Sequence, residues 1–184
     1  MVGVQAWFLE DFKSELMSKK QNINKKKNIK KSNRLFLVVA DDSKELHQAI
    51  YYAARRAATA GGELALFRCI EPVEGQLWGG VTEIMEKETE QASKELLQEL
   101  SQYCETLGAP KPKTFVRKGI IHEELFNLIN TEEAIRVLVL GVSTEHGNPG
   151  PLINYIINKG SNLCRVPITI VPGNLSDEQI DALI

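Results

Sequence analysis

Five short apolar runs, each separated from the next by a stretch of helical periodicity, constrain the fold of this chain more than any other feature. The runs are RLFLVVA (34–40), LALFRCI (64–70), KTFVRKG (113–119), AIRVLVLG (134–141) and VPITIV (166–171). The first and fourth are nearly continuous apolar sequence, as in strands buried on both faces of a parallel sheet. Helices are expected over about 44–59, 81–107, 122–130 and 151–163. Gly61 and Gly62 close the first of these. Leu96, Leu97, Leu100, Tyr103 and Cys104 form the inward stripe of the second, and Leu125, Leu128 and Ile129 that of the third. Strands alternating with helices predict a three-layer α/β domain around an open sheet of five mainly parallel strands, joined by right-handed crossovers. In such folds ligands sit beyond the carboxyl ends of the strands, where strand order reverses. Asp41 and the loop 141–150 both fall at that end.

The chain divides into an N-terminal extension (1–33), the α/β domain (34–173) and a C-terminal tail (174–184). In the extension, Val4, Trp7, Phe8, Phe12, Leu16 and Met17 make a helical stripe, and a polar, basic linker follows. The tail predicts one more short helix, with Ser176 and Gln179 as a capping box. The formal net charge of -2 conceals an asymmetry. Residues 1–34 hold nine Lys or Arg against three Asp or Glu, whereas the remainder holds 13 against 21. An acidic body argues against a general nucleic-acid binder, and the basic linker, which has no aromatic partners, reads as a solvated arm. No apolar run approaches the roughly 20 residues needed to span a membrane. The first residues lack the basic start and apolar segment of a secretory signal, so a cytoplasmic location is expected.

Candidate chemistry concentrates after the fourth run. Gly141 is followed by Gly147, Gly150, Gly160 and Ser161, in the spacing G-x-x-G-x9-G-S. Glycines at a strand-to-helix junction leave backbone N–H groups free to meet an anion. Pro151 suits the first helical position, where its missing N–H costs nothing. Gly160 and Ser161 follow Gly150 by about 15 Å of ideal helix. They reach the same phosphate only if that helix is broken or the loop curves. Other chemistries find no support. There is no G-x-x-x-x-G-K-S/T loop and no G-x-G-x-x-G after the first run. Cys69, Cys104 and Cys164 lack metal or redox spacing and are expected to be reduced and mostly buried. His47, His122 and His146 have no ligand spacing; His47 reads as a surface or boundary residue and His122 as a capping or packing one. Adjacent Asp41 and Asp42 should face opposite ways. One is expected to meet the cleft, while the other, or Ser43, caps the first helix.

The segments ADDS (40–43), LALFRCIEP (64–72), VRKG (116–119), VLVLG (137–141), GNPG…GS (147–161) and VPITIV (166–171), taken in order, resemble the universal stress protein family over about 34–172. The resemblance implies an adenine-nucleotide alpha-hydrolase-like sheet of order 3-2-1-4-5 and homodimers through the last strand. For one subclass it implies binding of ATP or another adenine nucleotide, with or without magnesium. It puts Val39 and Ala40 beside adenine, Asp41 in the nucleotide cleft, and Cys69 and Ile70 along the same pocket. Gly147, Gly150, Gly160 and Ser161 would hold ribose and phosphates, with residues 142–146 lengthening the loop after Gly141. No catalytic residue and no metal ligand is expected, and at most slow hydrolysis. The role implied is regulatory or protective in stress responses; the alternative is a nucleotide-free dimeric interaction module.

Overall fold

The computed structural model describes residues 34–72, 79–144, 148–160 and 164–184. The expected N-terminal helix and basic linker, together with His146, Gly147 and Ser161, lie outside the described residues. β1 (Leu35–Val39) is central because every residue in it is apolar and buried. Leu35, Leu37 and Val39 face one side of the sheet, and Phe36, Val38 and Ala40 face the other. This two-sided burial is what the uninterrupted apolar run encodes. β1 pairs in parallel with both β2 (Glu63–Ile70) and β4 (Ile135–Val142). β3 (Lys113–Lys118) adds to β2 and β5 (Ile168–Pro172) to β4, giving the order β3-β2-β1-β4-β5. The expected five-stranded parallel sheet is therefore present.

On one face lie α1 (Leu46–Ala60), α2 (Gly79–Thr106) and the short tail helix α5 (Asp177–Asp181). Ala49, Ala53, Ala54 and Ala57 are fully buried, so α1 approaches the sheet closely, with Ile50 as its large core side chain. It ends at Gly61, whose φ of 64° is a left-handed cap that glycine adopts without strain. Among the described residues of α2 the buried ones are Ser93, Leu97, Ser101 and Cys104, spaced four, four and three apart; Leu96 lies at the edge of this stripe. The tail belongs to this layer, since Ile180 is wholly buried. Its capping box forms as expected between Ser176 and Gln179.

The other face carries α3 (Ile121–Thr131) and α4 (Pro151–Tyr155). Leu125, Leu128 and Ile129 are buried there, joined by Phe126. Burying each Leu or Ile contributes about 1.5–3 kcal/mol. An exposed ion pair is worth about 0–1 kcal/mol, so the two apolar layers decide the fold.

Two element boundaries differ from expectation for identifiable reasons. The helix expected over 151–163 is α-helical only to Tyr155 and becomes π-helical over Ile156–Gly160. Asn158 donates its side-chain amide to the Asn154 carbonyl at 2.8 Å, competing for the acceptor a regular α-turn would use. β5 starts at Ile168 rather than 166, because Pro167 has no N–H to enter the ladder; its carbonyl accepts from the Leu138 N–H at 3.0 Å.

Candidate functional site

The carboxyl ends of β1, β2 and β4 open into a cleft of about 480 Å³, closed by the starts of α1 and α4 and one flank of α2. Parallel pairing creates it: the Ala40 N–H donates to the Phe67 carbonyl at 2.7 Å, and beyond that bond β1 and β2 separate. Seven residues singled out from sequence line this one cavity: Val39, Ala40, Asp41, Cys69, Ile70, Gly141 and Gly150. Gly160 ends the π-helical turn.

The glycines do different work. A Cβ at Gly141 would lie 2.6 Å from the Glu45 carbonyl oxygen. Gly141 is thus where β4 passes under the start of α1, a close approach that no side chain fits. A Cβ at Gly173 would meet the Cγ of the same Glu45. Gly150 has open space around it but a φ of 102°, which L-residues rarely adopt. Its N–H donates to Asn148 Oδ1 at 3.2 Å, and its carbonyl accepts from the Asn154 N–H at 3.0 Å, so the turn into α4 is already braced. Pro151 occupies the first helical position as expected.

Neither aspartate caps α1, which corrects the sequence reading. The helix begins at Leu46, with Glu45 at the N-cap and no side-chain capping bond. The chain first makes an aspartate turn, in which Asp41 Oδ1 accepts from the Ser43 N–H at 3.1 Å. Asp42 turns instead to Arg68, with Oδ2 2.9 Å from Nη2. Both aspartates line the cleft.

Arg68 is the residue sequence reasoning missed. It is the single Lys or Arg among the described residues lining the cleft, against Asp41, Asp42, Glu45 and Glu71. Its side chain is only 17% exposed, while that of Asp42 is 81% exposed. Nη1 donates to the Ala40 carbonyl at 3.0 Å, and Nε is buried with no hydrogen-bond partner among the described residues. The signal was in the sequence: an arginine interrupts the apolar run LALFRCI two residues before its end. Thr89 and Ser93, four residues apart on α2, also face the cavity, and Ser93 is buried.

Burial pushes the Cys69 thiol up to about 11, reinforced by Glu71 and Glu124. The thiol donates to the Gly119 carbonyl at 3.3 Å, so Cys69 lines the cleft as a neutral, weakly reactive group. Glu71 accepts from the Ile121 N–H at 3.3 Å and so braces the start of α3. Among the described residues no cluster of three or more His, Cys, Asp or Glu could hold a metal ion. His122 stacks on Tyr155 with centroids 3.8 Å apart, and exposed His47 meets the Tyr103 hydroxyl at 3.0 Å; neither lines the cleft. Cys104 is buried, and Cys69 and Cys164 are half-buried; all three are free thiols.

The comparisons with known proteins agree with this geometry. A model of the universal stress protein family matches residues 33–172. No curated protein sequence matches the chain. Among solved structures, the chain is similar to the universal stress protein UspA of Lactobacillus plantarum: TM-score 0.65, 17% identity, covering 76% of this chain and 97% of that one. It is similar to a universal stress protein in complex with cAMP, with TM-score 0.54 and 14% identity over 78% of this chain and 99% of the other. A third is the Archaeoglobus fulgidus protein in complex with dAMP, with TM-score 0.50 and 16% identity over 76% and 98%. Among the described residues no helix is long and apolar enough to cross a membrane.

Proposed function

The chain belongs to the universal stress protein family, and from that premise we propose that it binds an adenine nucleotide in the cleft above β1, β2 and β4. The observation that carries this reading is convergence: Asp41 follows β1, Cys69 and Ile70 end β2, Gly141 lies on β4 and Gly150 in the loop before α4, yet all line a single cavity. Its volume of about 480 Å³ lies within the range of small-ligand sites. Relatives of the same fold have been solved with cAMP and with dAMP, which supports a nucleotide of this class.

In this reading Val39, Ala40, Cys69 and Ile70 flank the base and Asp41 meets the ribose. Gly150, with Gly147, Gly160 and Ser161, serves the ribose and phosphates. The role is regulatory or protective, in the cytoplasm, with binding rather than turnover as the output. ATP with magnesium belongs to the same proposal. Ligand contacts to the 141–150 loop and α4 would favour one arrangement of that segment over others. Calorimetry with ATP, ADP and AMP, with and without magnesium, tests it. Micromolar to millimolar binding of at least one nucleotide is expected, and no heat from any of them at millimolar concentration overturns it.

A second reading rests on the edge strand. Among the described residues β5 pairs only with β4, and Ile170 is 46% exposed on it. An apolar edge of this kind invites pairing, here with a second copy of the chain in a two-fold homodimer. Sedimentation that finds only monomer at micromolar concentration overturns the dimer.

A further inference from the structure

We propose that Thr89 and Ser93, one turn apart on the cleft flank of α2, read the ligand's base and select a 6-aminopurine over a 6-oxopurine. The inference deepens the nucleotide reading and rests on it.

Both hydroxyls belong to the base end of the cleft. α2 packs against β2 and β3, and Cys69 and Ile70, which flank the base, end β2. The Gly150 turn, which serves the phosphates, follows β4 on the opposite side of β1. Thr89, Ser93 and Ser101 share one stripe of α2, yet they use their protons differently. Thr89 Oγ1 donates to the Met85 carbonyl at 2.8 Å, and Ser101 Oγ donates to the Leu97 carbonyl at 2.6 Å. Ser93 lies between them, is 3% exposed, lines the cavity and has no hydrogen-bond partner among the described residues. A buried hydroxyl left without a partner is destabilising. At a cavity wall, that penalty is removed when a ligand supplies the missing bond.

The pair therefore offers two unlike groups to one edge of a base. With its proton on the Met85 carbonyl, Thr89 Oγ1 presents only lone pairs to the cavity. Ser93 Oγ has a proton to give. An acceptor beside a donor complements adenine, whose N6 amino group donates and whose N7 accepts. A 6-oxopurine carries two acceptors on that edge, O6 and N7. To meet O6, Thr89 must break its bond to Met85 and turn its proton towards the ligand. With a 6-aminopurine Thr89 keeps that bond and accepts a second one. N7 is common to both bases, so Ser93 supplies affinity and Thr89 supplies the discrimination.

The test is calorimetry on the full chain with two matched pairs, AMP against IMP and, with magnesium, ATP against ITP. The members of each pair differ only in the base. The wild type should bind the adenine member about five- to tenfold more tightly than the inosine member, the weight of one hydrogen bond. Thr89→Val should weaken the adenine member, spare the inosine member and so remove most of that preference. Thr89→Ser keeps the hydroxyl and should restore it. Ser93→Ala should weaken both members by about fivefold alike. Its urea midpoint should not fall, because the hydroxyl bonds none of the described residues in the free protein. Thr89 is exposed on its helix, so its variants are expected to fold. Three results overturn the assignment and leave the nucleotide reading standing: inosine members that bind as tightly as adenine members, a ratio unmoved by Thr89→Val, or affinities unmoved by Ser93→Ala. If neither pair binds the wild type, both are overturned.

Discussion

Arg165, at the amino-terminal edge of the sheet, and Arg68, at its carboxyl edge, use the same functional group to opposite ends. Arg165 donates to three main-chain carbonyls: Ile129 at 2.7 Å, Glu132 at 2.7 Å and Ile135 at 3.3 Å. Those acceptors belong to the end of α3 and the start of β4, so the guanidinium closes a helix terminus and fixes the approach to β5. Arg68 binds one carbonyl and one exposed carboxylate and keeps a buried N–H without a partner among the described residues. The completed arginine belongs to the scaffold. The incomplete one lies in a cavity, where an unmet donor leaves room for a ligand. The same contrast holds for the glycines, since Gly141 is demanded by packing against Glu45 and Gly150 by a backbone angle in open space.

The strongest challenge to this division of labour is Gly141→Val. A side chain pressed onto the Glu45 backbone should cost about 3 kcal/mol, read from the urea midpoint. Gly150→Ala meets only the unfavourable φ and should cost about 1–2 kcal/mol. Equal effects would erase the distinction between the two glycines. Next comes Arg165→Ala, which strips three carbonyls of their donor and should destabilise by about 2 kcal/mol. Arg68→Gln should fall below about 1 kcal/mol, because its partner Asp42 is 81% exposed and a glutamine amide still offers a donor to the Ala40 carbonyl. A larger loss at Arg68 than at Arg165 would make Arg68 the structural residue.

The smallest effect expected is at the rim beside the cleft. The Lys94 ammonium, with Lys118, holds the Glu90 carboxyl at about 2, well below its ordinary 4.5. A depressed carboxylate stabilises the fold above its unfolded pKa and loses that contribution as pH falls through the folded value. Acid unfolding of Glu90→Gln should accordingly show a slightly shallower decline between about pH 5 and pH 2 than the wild type. Identical acid limbs would remove Glu90 as a contributor.

Much of the scaffold was legible from residue order. The run at 34–40 announced a strand buried on both faces, and its residues alternate between the two core layers. The capping box of the tail was readable because Ser176 and Gln179 interact within a single turn. Asp41 and the loop holding Gly150 could be nominated as cleft residues because the carboxyl end of each strand is fixed once the strands are known to be parallel, whereas Cys69 was nominated through the family resemblance. The start of α1 was misjudged, because an aspartate turn and a helix cap draw on the same residue types. The π-helical turn at Ile156 depends on one side-chain amide competing for a carbonyl, a choice periodicity does not encode.

Sequence alone determined the class of the fold, since periodicity and apolar runs are local properties that survive without knowledge of any partner. It also determined which end of the sheet is equipped with glycines and acids. Only the tertiary structure decided that Arg68 meets Asp42, 26 residues away, and that Gly141 lies beneath Glu45. Those contacts arise from how far each strand extends before it diverges from its neighbour. That length is set by hydrogen bonding across the whole sheet rather than by any one segment.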